Sequence, residues 1–469
     1  MPRQTPDLPA GDLAAAIALT RFGLGARPGE MARVAADPRG WLLAQIRPEG
    51  APQPGRAFAG TAGALEAYAA YVVAGRGLEA AAAQAARQQA RRAMTRETGA
   101  AFLDRIVLAA TTEAGFAERW ALFWANHFAV SATKFQASAF LEAYEREAIR
   151  PFVFGRFADL AFAAESHPAM LLYLDQAQSV GPGSPAGRRR EAGLNENLAR
   201  EILELHTVGP EAGYAQADVT EFARALTGWS IPLPGAPGRG QAAGMPGARG
   251  FVFRDAAHEP GARQVMGRTY RQTGLAQGRA ILEDLARHPA TARRLARKLA
   301  AHFVADAPPE ALVERLAAAW TATGGDLAAV ARALVEAPEA WAPAPGKIKT
   351  PYEFVASTHR AFDTRPTDLA SLQQVLAGLG QPAWAPPSPE GWPDTAADWA
   401  GPDALVKRLD WARTAGEVLG ADPDRQPVAV ADGALGARLG ARTRQAVARA
   451  ESRAEAVTLF LMSPEFQRR

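Results

Sequence analysis

The chain has 469 residues, 48% of them hydrophobic and 22% charged, which is an ordinary globular composition with enough length for two to four domains of ~100–200 residues or for one large core with insertions. It has no cysteine, which excludes a disulfide framework, thiolate catalysis and cysteine-ligated metals. Its 52 basic and 49 acidic residues leave a net charge of +3 with no sustained one-signed face, which argues against a nucleic-acid footprint. The runs Arg188 to Arg190 and Arg293, Arg294, Arg297, Lys298 have Glu191, Glu196 and Asp284 nearby and read as solvated faces. The opening MPRQTPDLPAGDLAAAIALTRFG lacks a basic leader and an apolar block, and no segment approaches the ~18 apolar residues of a spanning helix. No signal peptide is therefore expected and the cytoplasm is the expected compartment, with export alongside a partner as the alternative.

In chain order the apolar periodicity and the abundance of alanine, leucine, arginine and glutamate predict helices over 11–22, 29–36, 38–46, 60–74, 77–113, 115–129, 136–150, 156–164, 194–207 and 215–227. They continue over 275–287, 289–304, 309–322, 325–336, 350–363, 367–379, 402–418 and 440–462. Between the two groups, Trp229 to Pro232 and Gly250 to Arg254 read as a small hairpin flanking a Gly/Pro-rich, mobile stretch at 232–250. The segment 179–193 reads as a flexible excursion. The segment 381–402 places Trp384, Trp392 and Trp399 among prolines, as a loop that walls a cleft or is anchored to the helical body. The glycines at 23, 25 and 29 have the wrong spacing for a cofactor loop and follow no strand, and Ser131 to Lys134 fits SxxK without its companion elements. The tripeptide HPA recurs at 167–169 and 288–290 without a repeat period around it.

Chemistry is concentrated in a few helices. Glu145 falls between Leu141 and Ile149 on an apolar arc, where a carboxylate must be paired, hydrogen-bonded or metal-bound. His127 lies on the aromatic side of its helix with Trp120, Phe123 and Trp124. On the next polar helix Asn197, Arg200, Glu201 and Glu204 share one stripe, with Asn195 at the cap and His206 at the C-terminal end. That stripe suits a divalent cation or an acid/base pair, and it equally suits ordinary ion pairing on a solvated face. Asp218, Glu221 and Arg224 extend the polar network toward Trp229, and His258 lies on a loop after the hairpin.

These same blocks resemble a bacterial family known as the domain of unknown function 1800 family. The likeness runs from RFGLGARPG at 21–29 through WANHFAVS at 124–131, YEREAIRP at 144–151, HPAMLLYLDQAQS at 167–179 and NENLAREILELHTVG at 195–209. It continues through YAQADVTEFARALTGWSI at 214–231, GWPD at 391–394 and LMSPEFQ at 461–467. Two places depart from the family pattern: His258-Glu259-Pro260-Gly261 stands for an HDPG-like block, and Gln176 where asparagine is common. The resemblance implies a mainly helical protein encoded beside members of the domain of unknown function 1501 family, which look like sulfatase or alkaline-phosphatase relatives and often carry export signals. It implies no established activity.

The expectation is an all-α protein with a short β-hairpin insertion, one helical unit over 1–469 with sub-regions 1–114, 115–230, 231–274 and 275–469. Two functions compete. In the first, Glu145, Glu201, Glu204, His127 and His206 perform acid/base or divalent-metal hydrolytic chemistry on an anionic or carbohydrate-like substrate. Asn195, Asn197, Arg200, Asp218, Trp229, His258 and Trp392 bind that substrate, and the cofactor, if any, is one divalent metal ion. In the second, the protein is a non-catalytic accessory or maturation partner of a domain of unknown function 1501 protein.

Overall fold

A computed structural model of the chain describes residues 11–189, 193–232, 241–242 and 249–469. The architecture is all-α with a short β insertion. Trp229–Ser230 pairs antiparallel with Val252–Phe253, Trp229 opposite Phe253, within the two segments expected to form the hairpin. Gln241–Ala242 joins the other edge of Val252–Phe253, and most of the Gly/Pro-rich stretch read as mobile lies outside the described residues. A second hairpin, Arg263–Val265 with Arg268–Tyr270, is absent from the sequence expectation. Its turn residues Met266 and Gly267 both have positive φ, the conformation that a tight two-residue hairpin turn demands.

Most predicted helices stand, and where the structure differs the reasons are local. The span 136–150 breaks into Phe135–Ser138 and a helix from Leu141 that widens to π geometry over Tyr144–Ile149. The span 440–462 divides into Ala441–Ala448 and Arg453–Met462, the second capped by Ser452, whose Oγ accepts from Glu455 N at 3.1 Å. Pro168–Tyr173, Pro427–Leu435 and Pro464–Gln467 are absent from the expectation because, at 6, 9 and 4 residues, they are too short to show a helical period; each starts on a proline, which suits a helix's first turn. The recurrent HPA is such a start: the His167 and His288 rings accept through Nδ1 from Ala169 N and Ala290 N at 3.2 and 3.1 Å. The segment read as a flexible excursion is tied down over 179–189, and 190–192 lie outside the described residues. Gly181 N and Ala186 N donate to Ala257 O and Ala256 O, and Gly183 N donates to the Glu259 carboxylate.

Three apolar clusters build the interior. The largest gathers Phe22, Phe116, Trp120, Trp124, Phe157 and Phe303, all fully buried. A second joins Phe354 and Phe362 to Phe460, Leu461 and Phe466, and a smaller third holds Phe102, Ile106, Tyr352 and Leu376. The helix Pro351–Ala361 contributes Phe354 to the second and Tyr352 to the third. The first and third clusters both supply walls to one cavity, described next. No described helix is long and apolar enough to cross a membrane.

Candidate functional site

A cavity of about 560 Å³ opens beside the helix Gly115–His127, within the size range of small-molecule sites. Arg119, Leu122, Phe123, Asn126 and His127 recur at helical spacing and present one face to it. Lys298 and His302, four residues apart on Pro289–Phe303, face it from another side. Phe102, Tyr352, Trp384 and Trp392 supply aromatic walls. The tryptophan-bearing loop therefore both walls a cleft and is anchored. Trp384 Nε1 donates to Thr98 O at 3.2 Å and Trp384 O accepts from Ala132 N at 2.7 Å. Asn126 clasps Trp392, its Nδ2 donating to the Trp392 carbonyl at 2.9 Å and its Oδ1 accepting from the Trp392 N–H at 2.8 Å. Gly391, with φ +91°, lies so close to Asn126 that a Cβ would collide with the Asn126 backbone oxygen.

One side of the cavity is a closed ionic lattice. Glu145 takes Arg105 Nε at 2.7 Å and Arg150 Nη2 at 2.6 Å, while Arg150 also grips Glu118 through two bonds of 2.7 and 2.9 Å. Burial pushes the Glu145 carboxyl up, but Arg105 and Arg150 outweigh it and hold the group below its ordinary range. Glu145 thus borders the cavity with both carboxylate oxygens paired, by Arg105 and Arg150.

A second network in the lining is less completed. His302 Nδ1 donates to Asp394 Oδ2 at 2.7 Å, and Asp394 is fixed in turn by Arg469 at 3.3 Å and Lys347 at 3.4 Å. Arg469 also meets Glu353, which takes Arg119 at 2.5 Å. Burial raises the Glu353 carboxyl, yet Arg119 and Arg469 prevail and hold it far below the usual carboxylate range. His302 Nε2 is buried and has no hydrogen-bond partner among the described residues. Burial lowers the His302 imidazole against the pull of Asp394, so the ring is neutral at pH 7 with its proton on Nδ1 and its lone pair on Nε2.

His127 sits beside it. Its Nε2 lies 3.1 Å from the His206 carbonyl, which can only accept, so Nε2 carries the proton and Nδ1 receives Lys298 Nζ at 3.2 Å. Burial, then the charge of Lys298, holds His127 well below its ordinary value. Burial and the nearby Arg294 push the Lys298 ammonium down to about 8, against the weaker opposing pull of Glu390 and Asp394. Beneath His127, the fully buried His206 Nδ1 lies 2.6 Å from Glu165 Oε1, a close contact outside the line of an aligned hydrogen bond.

Of the twelve residues singled out from sequence, Glu145, His127 and Trp392 line the cavity. His206 is one layer behind, through its carbonyl. Glu201 and Glu204 lie outside the cavity and are half-exposed, Glu201 being raised by burial and by the carboxylates of Glu204 and Glu165. Arg200 pairs with Glu196 at 3.1 Å and Gln216 at 3.0 Å. Asn195 bonds Leu174 O and caps Asn197 N, leaving Asn197 exposed. Asp218 accepts from Ala215 N and Met266 N, fastening the second hairpin. Trp229 is fully buried against Phe162 and Phe251, and His258 bonds Thr227 O at 2.9 Å. No group of three or more histidine or acidic side chains among the described residues is placed to hold a metal ion.

Lys298, His302, Asp394 and Glu353 escaped sequence reasoning. The pair Lys298 and His302 carried a usable signal, i and i+4 on one helix, hidden inside what looked like a solvated basic run, and Asp394 ends the GWPD block. No curated protein and no solved structure matches the chain. The model of the family described as "Protein of unknown function (DUF1800)" matches residues 17–468, a span that takes in the whole cavity wall, and the chain belongs to that family.

Proposed function

We propose that the protein is an enzyme whose cleft performs acid/base chemistry, with His302, oriented by Asp394, as the proton-transferring group. The observation that carries this reading is the His302 ring itself: one nitrogen fixed on a carboxylate, the other buried, unpartnered and belonging to a residue of the cavity wall. His127 and Lys298 supply a second titrating pair in the same lining. Aromatic walls favour a neutral, polyhydroxylated, carbohydrate-like substrate, with Trp392 as a stacking face. Hydrolysis is the reaction class in which a neutral imidazole base activates water at such a site.

The test is a titration of the full chain with neutral hexoses and short oligosaccharides, followed by tryptophan fluorescence, alongside a panel of chromogenic glycosides and esters. Saturable binding weakened about tenfold by Trp392→Ala, with turnover cut about 10²–10⁴-fold by His302→Gln at unchanged binding, supports the reading. Binding unaffected by Trp392→Ala, or turnover indifferent to His302→Gln, overturns it.

A second reading, accessory partner of a domain of unknown function 1501 protein, is favoured by one feature. Leu405, Val406 and Leu409 are exposed together on the helix Pro402–Gly420. Co-purification with that neighbour, lost in a Leu405→Ser/Leu409→Ser variant, would support it.

A further inference from the structure

We infer that Lys298 is an amine nucleophile that forms a reversible covalent imine with an aldehyde or ketone in the cleft. This rests on the cleft being a small-molecule site, as argued above, and names the chemical class it takes.

The chain has five lysines among its 52 basic residues, and four are accounted for by their surroundings. Lys134 pairs with Asp175 at 2.5 Å, Lys347 with Asp306 at 2.5 Å and Lys407 with Asp403 at 2.6 Å. Lys349 is buried outside the cavity, donates to Ser357 Oγ at 3.0 Å and lies over the Phe466 ring. Lys298 alone of the five borders the cavity without a carboxylate within ion-pair distance among the described residues, and its polar contact is a bare imidazole nitrogen. A guanidinium would serve an anion site better, whereas a primary amine beside a hydrogen-bond acceptor is what carbonyl addition requires. The groups around Nζ are His127, Arg294, Glu390 and Asp394, and the two cationic or burying influences prevail, leaving a substantial neutral fraction near pH 8.

The step balances without an added reagent. Nζ loses one proton to solvent, and one remaining N–H donates to His127 Nδ1 while the lone pair attacks the carbonyl carbon. The C–N bond forms, the C=O π pair moves to oxygen, and that oxygen takes a proton. The carbinolamine then expels its hydroxyl, which leaves as water with a further proton from nitrogen, and the imine remains. Addition of water reverses the sequence.

The experiment incubates the full-length protein at pH 7.5 with glycolaldehyde and sodium cyanoborohydride, which reduces any imine to a stable secondary amine, and maps the mass increment over all five lysines. Modification of Lys298 about tenfold or more faster than of Lys134 and Lys407 is expected, because those two amines are engaged by Asp175 and Asp403. Lys298→Arg should abolish the fast phase, and His302→Gln should keep it. Equal rates at Lys298 and the surface lysines overturn the inference even if hexose binding and His302-dependent turnover are observed. Selective labelling of Lys298 with no hexose binding would instead sustain the inference and remove the carbohydrate reading of the site.

Discussion

The two sides of the cavity are built from similar residue types and differ in how many of their valences are spent. In the Glu118–Arg150–Glu145–Arg105 lattice every carboxylate oxygen accepts from a guanidinium, all three Arg150 nitrogens are bonded, and Arg105 spends its Nε on Glu145 and its face on the Tyr352 and Trp384 rings. Elsewhere in the lining, His302 keeps a lone pair free and Lys298 keeps an ammonium without a carboxylate. Charge density by itself therefore separates neither scaffold from site. The separating property is completeness of pairing, since a finished buried network rigidifies while an unfinished one retains the capacity to bind or transfer protons.

Three substitutions probe that difference. Arg150→Met should have the largest effect, because it strands the fully buried Glu118 and removes one partner of Glu145. A loss of about 3–5 kcal/mol in denaturant unfolding is expected, with the cavity's labelling and binding chemistry intact in whatever folds. A loss below about 1 kcal/mol would erase the contrast between the two sides.

Glu353→Gln should cost roughly 3 kcal/mol at neutral pH, since Arg119 and Arg469 both lose a charged partner. The folded-state value of Glu353 is depressed, so its contribution is complete above the ordinary value of 4.5 and is lost as pH falls through the folded value. The difference in melting temperature between wild type and Glu353→Gln should accordingly shrink below pH 4.5. A gap that is constant down to the acid limit would mean that Glu353 acts by packing alone.

Lys298→Met should have the smallest effect and the opposite sign, a gain of about 1 kcal/mol at pH 7, because an ammonium without a carboxylate is removed from a partly desolvated wall. Its folded value of about 8 lies below the 10.5 of the unfolded chain, so the wild type gains stability as pH rises between those values, where the unfolded state binds more protons. The advantage of Lys298→Met should fade over that window. An unchanged advantage would place the cause in side-chain packing.

The helical class and the first hairpin were legible because they depend on short-range pattern: apolar spacing, alternation and turn residues. Glu145 was legible as a residue in need of a partner, but the partner was not, because Arg105 comes from a helix 40 positions away in sequence. The stripe Arg200, Glu201, Glu204 was legible as a shared face, and its surroundings were not, for the same physical reason. Helical spacing says which side chains share a face and nothing about what that face meets, and this one meets solvent, Glu196 and Gln216. His302 was unreadable because its meaning resides in Asp394, 92 residues away, and in an empty valence, which has no signature in one dimension.

The fastening of the tryptophan loop divides labour within the cleft. Residues 385–390 hang between Trp384, held at its carbonyl by Ala132, and Trp392, clasped at its N–H and C=O by Asn126, and Asp394, the partner of His302, comes only after the second clasp. Exchange of that six-residue insert for other sequences should retune what the cleft admits while leaving the histidine and its carboxylate in register. For directed evolution, ligand choice and reactivity can then be diversified as separate cassettes on one frame.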